Sequence, residues 1–260
     1  MVQDTLHIAL FQMDLVWEDH TANLSKIDQW LKQLSQSTDI VFLPEMFTTG
    51  FSMKATELAE TMDGPTMQWM IQRSRELDVA ICGSLIIKEN DHYFNRLVFV
   101  EPDGKVHSYD KRHLFTMGNE EKHYHKGSKR LIVNYKGWRI CPLICYDLRF
   151  PVWSRNNGDY DLLVYVANWP RQRDEVWNTL LKARAIENQA YVAGVNRVGR
   201  DGQMIHYSGY SQILDAKGIL LANAEINQEA VLKAELSYTE LQRFRTVFPV
   251  LKDGDPYQLE

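Results

Sequence analysis

The segment LLVYVANWPRQRDEVWNTLLKARAIENQAYVAGVNRV, residues 162–198, reads as a strand, a helix and a second strand in succession. Its ends, LLVYVANW and YVAGVNRV, are β-branched and aromatic runs of strand length. The stretch between them predicts a helix from about Asp174 to Gln189. Alternation of this kind is how strands and helices pack in layers. Working outward, the same alternation recurs. RLIVNY (130–135) and WRICPLICY (138–146) flank Lys136-Gly137, and RLVFV (96–100) and KVHSYD (105–110) flank the turn Glu101-Pro102-Asp103-Gly104, so two antiparallel hairpins are expected. Upstream lie the apolar run VAICGSLII (79–87) and a helix opened by Gly64-Pro65 that runs to about Asp78. Before these come the strand DIVFLPE (39–45) and a helix from about Thr21, with Leu24, Ile27, Trp30, Leu31 and Leu34 three or four apart on one face. The strand LHIALFQMD (6–14) opens the series, and SQILDAKGILLA (211–222) and AVLKAEL (230–236) complete a mixed sheet. Pattern alone predicts a mixed α/β sandwich.

The chain has 260 residues, 45% of them hydrophobic and 24% charged, enough to bury a full core. No linker, charge block, low-complexity tract or repeat divides it, so a single domain over 1–260 is expected. With 29 basic and 34 acidic side chains, the net charge of -5 offers no reason to expect a nucleic-acid backbone or an anionic membrane as partner. A small molecule fits better. No apolar stretch is long enough to span a bilayer, and MVQDTLHIALFQMD does not read as a secretory signal. Three cysteines, Cys82, Cys141 and Cys145, are an odd number and argue against a disulfide framework. The cytoplasm is the expected compartment.

Several residues can carry chemistry. Cys145 ends RICPLIC and is followed by YDLRFPVW, where Phe150-Pro151 predicts the start of a short helix, so the thiol falls at a strand-to-helix corner. A corner of that kind exposes a side chain beside unpaired backbone N–H groups that favour a thiolate and an oxyanion. The alternative is a small buried hydrophobe, which is what most free cysteines are. Cys82 and Cys141 lie inside apolar strands and are expected in the core. Glu45 follows apolar residues and a proline at a strand end, where α/β proteins place working groups. An acid held there against apolar surroundings suits a general base, and an exposed turn carboxylate is the other reading. Lys111 begins KRHLF after a strand and either supplies charge to a developing oxyanion or caps a solvated strand end. Judged alone, Glu120 in GNEEKHYHKG is a surface acid. His113, His123 and His125 invite a metal-site reading, which we reject because no second ligand group follows a regular spacing and lysines crowd the segment.

Taken together, FLPEMF (42–47), YDKRHLF (109–115) and LICYDLRFP (143–151) resemble the three signature segments of the nitrilase superfamily. The likeness extends through LLVYVANWP, WNTLLKARAIENQAYVAGVNRVG, GYSQILDAKGILLA and FPVLKDGDPY, nearly the whole chain. It is nearest the omega-amidase branch, whose members hydrolyse the terminal amide of short 2-oxo-dicarboxylate monoamides. The resemblance implies an α-β-β-α sandwich, protomers joined as a homodimer or higher homo-oligomer across helices that flank the site, and no cofactor or metal. It assigns Glu45 as base, Lys111 as oxyanion stabiliser, Cys145 as nucleophile and Glu120 as a second acid, with the backbone N–H of Tyr146 as oxyanion donor. Tyr146 stands where the family often has Trp, which leaves that backbone donor in place. Arg171 and Arg173, on the loop after LLVYVANW, are candidates to hold a distal carboxylate of the substrate. Nitrilase and carbamoyl-amine hydrolase chemistry use the same triad and are the enzymatic alternatives. An inactive sandwich that only binds is the non-enzymatic one.

Overall fold

The computed structural model of the chain describes residues 2–255. Its strands are β1 (Thr5–Gln12), β2 (Ile40–Phe42), β3 (Ala80–Glu89), β4 (His92–Val100), β5 (Val106–Asp110), β6 (Val133–Tyr135), β7 (Trp138–Ile144), β8 (Leu162–Ala167), β9 (Tyr191–Asn196), β10 (Val198–Arg200), β11 (His206–Ser208), β12 (Gln212–Leu214), β13 (Leu220–Asn223) and β14 (Ala230–Ser237). The helices are α1 (His20–Leu31), α2 (Ala55–Leu58), α3 (Pro65–Leu77), α4 (Asp174–Asn188) and α5 (Tyr238–Val247).

Two six-stranded sheets form, in the orders β14-β1-β2-β3-β4-β5 and β13-β12-β9-β8-β7-β6. Each is mixed. The inner strands β1, β2 and β3 run parallel, as do β7, β8 and β9, with antiparallel partners outside them. Strand residues alternate between two buried faces, as their period of two requires. Leu6, Ile8, Leu10, Ile40, Phe42, Ala80 and Cys82 share a core with Ile140, Leu143 and Val164 of the second sheet. Their neighbours Ala9, Phe11, Val41 and Ile81 face the other way, onto Ile27 and Leu31 of α1 and Met67 and Met70 of α3. On the second sheet Trp177, Leu181 and Ala185 of α4 enter the core. Gly194 of β9 lets α4 approach, because a Cβ there would lie 2.5 Å from Leu181. The layers are therefore helix, sheet, sheet, helix, the sandwich expected from the resemblance.

Local chemistry sets the helix ends. The Asp19 side chain accepts from Ala22 N at the start of α1, Pro65 opens α3, and Asp78 and Gln189 end α3 and α4 in the left-handed conformation. Both expected hairpins are present. The expected helix at Phe150-Pro151 is displaced: a 3-10 turn spans Cys145–Arg149, and Phe150 closes it. Chain reversal begins at Cys145 itself because its φ is +42°. The last two residues of FPVLKDGDPY lie outside the described residues. No helix among the described residues is long and apolar enough to cross a membrane.

Candidate active site

Strands β2 and β5 run in one direction in the first sheet, as do β7 and β8 in the second, and they deliver Glu45, Lys111, Cys145 and Asn168 to one place just beyond their carboxyl ends. Ends of this kind leave the chain free to change direction, so side chains can converge where the ladders stop. Beyond β2, Leu43 N makes one more ladder bond to Cys82 O, and Pro44 breaks the pattern before Glu45. Glu45 is buried, but its surroundings are polar where apolar ones were expected. One carboxylate oxygen accepts from Lys111 Nζ at 2.9 Å and Asn95 Nδ2 at 2.7 Å, and the other accepts from the Asn168 backbone N at 2.9 Å. Asn168 Nδ2 also donates to the Glu45 carbonyl at 2.5 Å.

Lys111 is fully buried, so the solvated reading of it is wrong. Its backbone N donates to Asn95 O at 3.0 Å, and its Nζ donates to both oxygens of Glu120 at 3.0 and 2.9 Å. Glu120, a surface acid when judged alone, is fully buried too. The loop after β5 brings it back: Gly127 N bonds Lys111 O, and a Cβ on Gly127 would lie 2.1 Å from Asp110 O. Only glycine lets the loop close this tightly. Phe115 N then donates to Glu120 at 2.6 Å and fixes the carboxylate. Burial pushes the Glu120 carboxyl up, and the Glu45 charge adds to this against the pull of Lys111. Burial would lower the Lys111 ammonium, but Glu120 and Glu45 outweigh it and hold it above the ordinary lysine value. Lys111 stays charged.

Cys145 is 9% exposed and lines a cavity, instead of projecting from a corner into solvent. Its Sγ lies 3.9 Å from Asn168 O. Burial pushes the thiol well above its ordinary value, and neighbouring Glu45 raises it further. An isolated thiolate is therefore disfavoured, and deprotonation needs a base at hand. The Tyr146 N–H belongs to the first turn of the 3-10 segment, where helix N–H groups have no intrahelical acceptor.

The cavity measures about 210 Å³ and has Glu45, Lys111 and Cys145 at its base. Phe51, Phe115, Trp169 and Tyr207 wall it, and Arg149 and Arg173 reach it. The Arg173 guanidinium lies 5.1 Å above the Phe115 ring and Arg149 lies 5.3 Å above Trp169. The structure separates the two loop arginines, since Arg171 does not line the cavity and instead sits 3.3 Å from His206 Nδ1 on the exposed side. The three histidines diverge: His113 meets Asp147 and stacks on Phe150, His125 lies tilted against His92, and His123 is exposed. Cys82 and Cys141 are buried in the core. The sequence reading missed Asn95, Asn168, Arg149 and Tyr207. Asn168 sits at a strand end like Glu45, and Asn95 is a polar residue inside an apolar strand, so both left a signal.

The carbon-nitrogen hydrolase family model matches residues 7–246. An omega-amidase, YafV, of Yersinia enterocolitica is 52% identical over 257 residues, which cover 98% of this chain and 99% of that one. A 2-oxoglutaramate amidase of Bacillus subtilis (strain 168) is 31% identical over 251 residues, covering 95% and 96%. Among solved structures, XC1258 of Xanthomonas campestris, described as a CN-hydrolase superfamily protein with an arsenic adduct in its active site, superposes with a TM-score of 0.97 at 44% identity, covering 99% of this chain and 100% of that one.

Proposed function

The chain belongs to the carbon-nitrogen hydrolase family, and from that premise we propose that it is an omega-amidase whose nucleophile is Cys145. The observation that carries this reading is the buried Glu45, Lys111 and Glu120 cluster beside Cys145 at the base of one cavity. Amide hydrolysis needs a nucleophile, a proton carrier and a site for the oxyanion. Glu45 takes the thiol proton, and Cys145 Sγ bonds to the amide carbon. The carbonyl oxygen becomes negative and is held by Lys111 and the Tyr146 N–H. As the tetrahedral species collapses, Glu45 passes its proton to the nitrogen, the carbon-nitrogen bond breaks, and ammonia departs. A thioester remains. Glu45 then takes a proton from water positioned with Glu120, hydroxide adds to the thioester carbon, and the acid leaves as the thiol is restored. The raised thiol supports this order, since the proton leaves as the sulfur attacks.

The preferred substrate in this reading is the monoamide of a short 2-oxo-dicarboxylic acid, such as 2-oxoglutaramate. Arg173 supports it, being a guanidinium on the cavity wall whose side chain has no carboxylate partner among the described residues. A carboxylate at the far end of the substrate would pair with it and leave the amide at the sulfur. The reading extends to a single domain over 1–260, a homodimer and a cytoplasmic location. A core drawn from both sheets supports the first, exposed Ile186 and Phe248 on α4 and just after α5 support the second, and three free cysteines support the third. The test is ammonia release by purified protein from panels of acidic amides, neutral amides, nitriles and ureido compounds, run beside Cys145→Ala. Release from nitriles or ureido compounds in preference to acidic amides would place the activity in another branch.

A further inference from the structure

We propose that Asp147 is the positioning residue that sets Cys145 against Lys111, an inference that rests on the catalytic reading of those two residues. Asp147 is fully buried and touches neither the cavity nor the acid cluster. Its carboxylate accepts four hydrogen bonds that come from both halves of the sandwich. From the second sheet, Ile144 N, one residue before the nucleophile, donates to Oδ2 at 3.0 Å. From the first, Tyr109 OH donates to Oδ2 at 2.7 Å, and His113 donates to Oδ1 twice, from its backbone N at 3.1 Å and from Nδ1 at 2.8 Å. Tyr109 and His113 stand two residues either side of Lys111.

One carboxylate therefore grips the chain on both flanks of Lys111 and immediately before Cys145. Between the sheets most of the contact is apolar, and the other polar ties, such as Asn168 to Glu45 and Ser211 N to Gln12 Oε1, do not hold Lys111 to the chain beside Cys145. Apolar packing is non-directional, so it resists separation of the sheets more than it resists a small sliding of one over the other. Hydrogen bonds to a charged acceptor are directional and strong, and four of them fix the offset. The network is braced from outside. Trp153 Nε1 and Arg112 N donate to the Tyr109 oxygen at 3.0 and 3.1 Å, and the His113 ring lies flat on Phe150 at 3.7 Å. Arg184 Nη2 holds the next turn by donating to Leu148 O at 2.6 Å. An ångström of slip between a nucleophile and its oxyanion donor is enough to slow the reaction about 100-fold.

The experiment compares wild type, Asp147→Asn and His113→Phe in kcat and KM for the amide found in the ammonia screen. Each kcat is divided by the amount of chain that takes up a single iodoacetamide, at Cys145 alone, because a misfolded chain also exposes Cys82 and Cys141, buried in the folded one, and is alkylated at all three. Asn offers an N–H where the carboxylate accepts, and Phe keeps the stack on Phe150 while removing the Nδ1 donor. The expected result is a kcat per titrated thiol lower by about 100-fold in Asp147→Asn and about 10-fold in His113→Phe, with KM within about threefold of wild type. A kcat per titrated thiol within about twofold of wild type in Asp147→Asn overturns the proposal. If that variant does not fold, the same threshold is applied to His113→Phe. Hydrolysis surviving in Cys145→Ala would instead overturn the catalytic reading and the positioning role with it.

Discussion

Cys145 holds a backbone conformation, φ +42°, that a side chain with a Cβ adopts only when its surroundings impose it. The strained residue is the one that must turn the chain at the end of β7, as Met46, at φ +45°, does after Glu45. Replacing Cys145 with Ala is expected to abolish ammonia release, while Cys82→Ala and Cys141→Ala keep activity and each lower the free energy of unfolding by about 1 kcal/mol, read from urea melts. The acids separate by half-reaction. Glu45→Gln is expected to leave no thioester on the Cys145 peptide after an acid quench, because the raised thiol has lost its base. Glu120→Gln should still form the thioester and turn over more slowly, so equal loss of the first step in both would show that the two acids share one role. Arg173→Ala is expected to lower kcat/KM for an acidic amide by about 10- to 100-fold, or about 1.4 to 2.7 kcal/mol, and to spare neutral amides. Equal losses on both substrate types would refute the carboxylate clamp. At this scale strand ends and a corner made Glu45, Lys111 and Cys145 candidates, and the resemblance singled them out, because position alone left a turn carboxylate, a solvated lysine and a buried thiol equally open or better. Glu120 was legible only through the resemblance, since nothing in GNEEKHYHKG announces that one of two adjacent glutamates turns inward.

The element that completes the site is the loop from Arg112 to Lys126, which folds over Lys111 and is closed by Gly127. A methyl group at Gly127 meets the Asp110 carbonyl, so Gly127→Ala must lift the loop and with it Phe115 and Glu120. The expected cost is about 1–3 kcal/mol of stability, with kcat reduced at least 10-fold under conditions where circular dichroism is unchanged. Retention of full kcat would mean that the loop closes by another route. The long apolar strands and the helices opened by an N-cap or proline were legible from pattern. The hairpin of β10 and β11, three residues each, was not, because so short a pair has too few residues to display a period of two. Helix α5 was also missed: its apolar face is short, with Leu241 buried and Tyr238 and Phe244 partly buried against the core, and Arg245 fastens the helix through polar bonds to Asp161, Tyr160 and Gln189.

For the whole molecule, the expected homodimer would bury Ile186, 50% exposed, and Phe248, 59% exposed, which lie near one another because Gln189 Nε2 donates to Phe248 O at 2.7 Å. Light scattering after size exclusion should give about twice the chain mass for wild type and the chain mass for Ile186→Asp with Phe248→Asp. A wild-type monomer would end that expectation. By itself the sequence determined the layered α/β class and which strand ends carry an acid, a lysine and a thiol, because period, turn residues and strand termini are local properties. Only the tertiary structure decided that two carboxylates share one buried ammonium, that Arg173 and not Arg171 reaches the cavity, and that Asp147 binds both sheets at once. Those facts depend on contacts between residues as far apart as 123 positions, such as Glu45 with Asn168. No short window along the chain contains Glu45 with Lys111, 66 positions apart, or Tyr109 with Asp147, 38 apart, and their distances are set by how the strands and sheets stack.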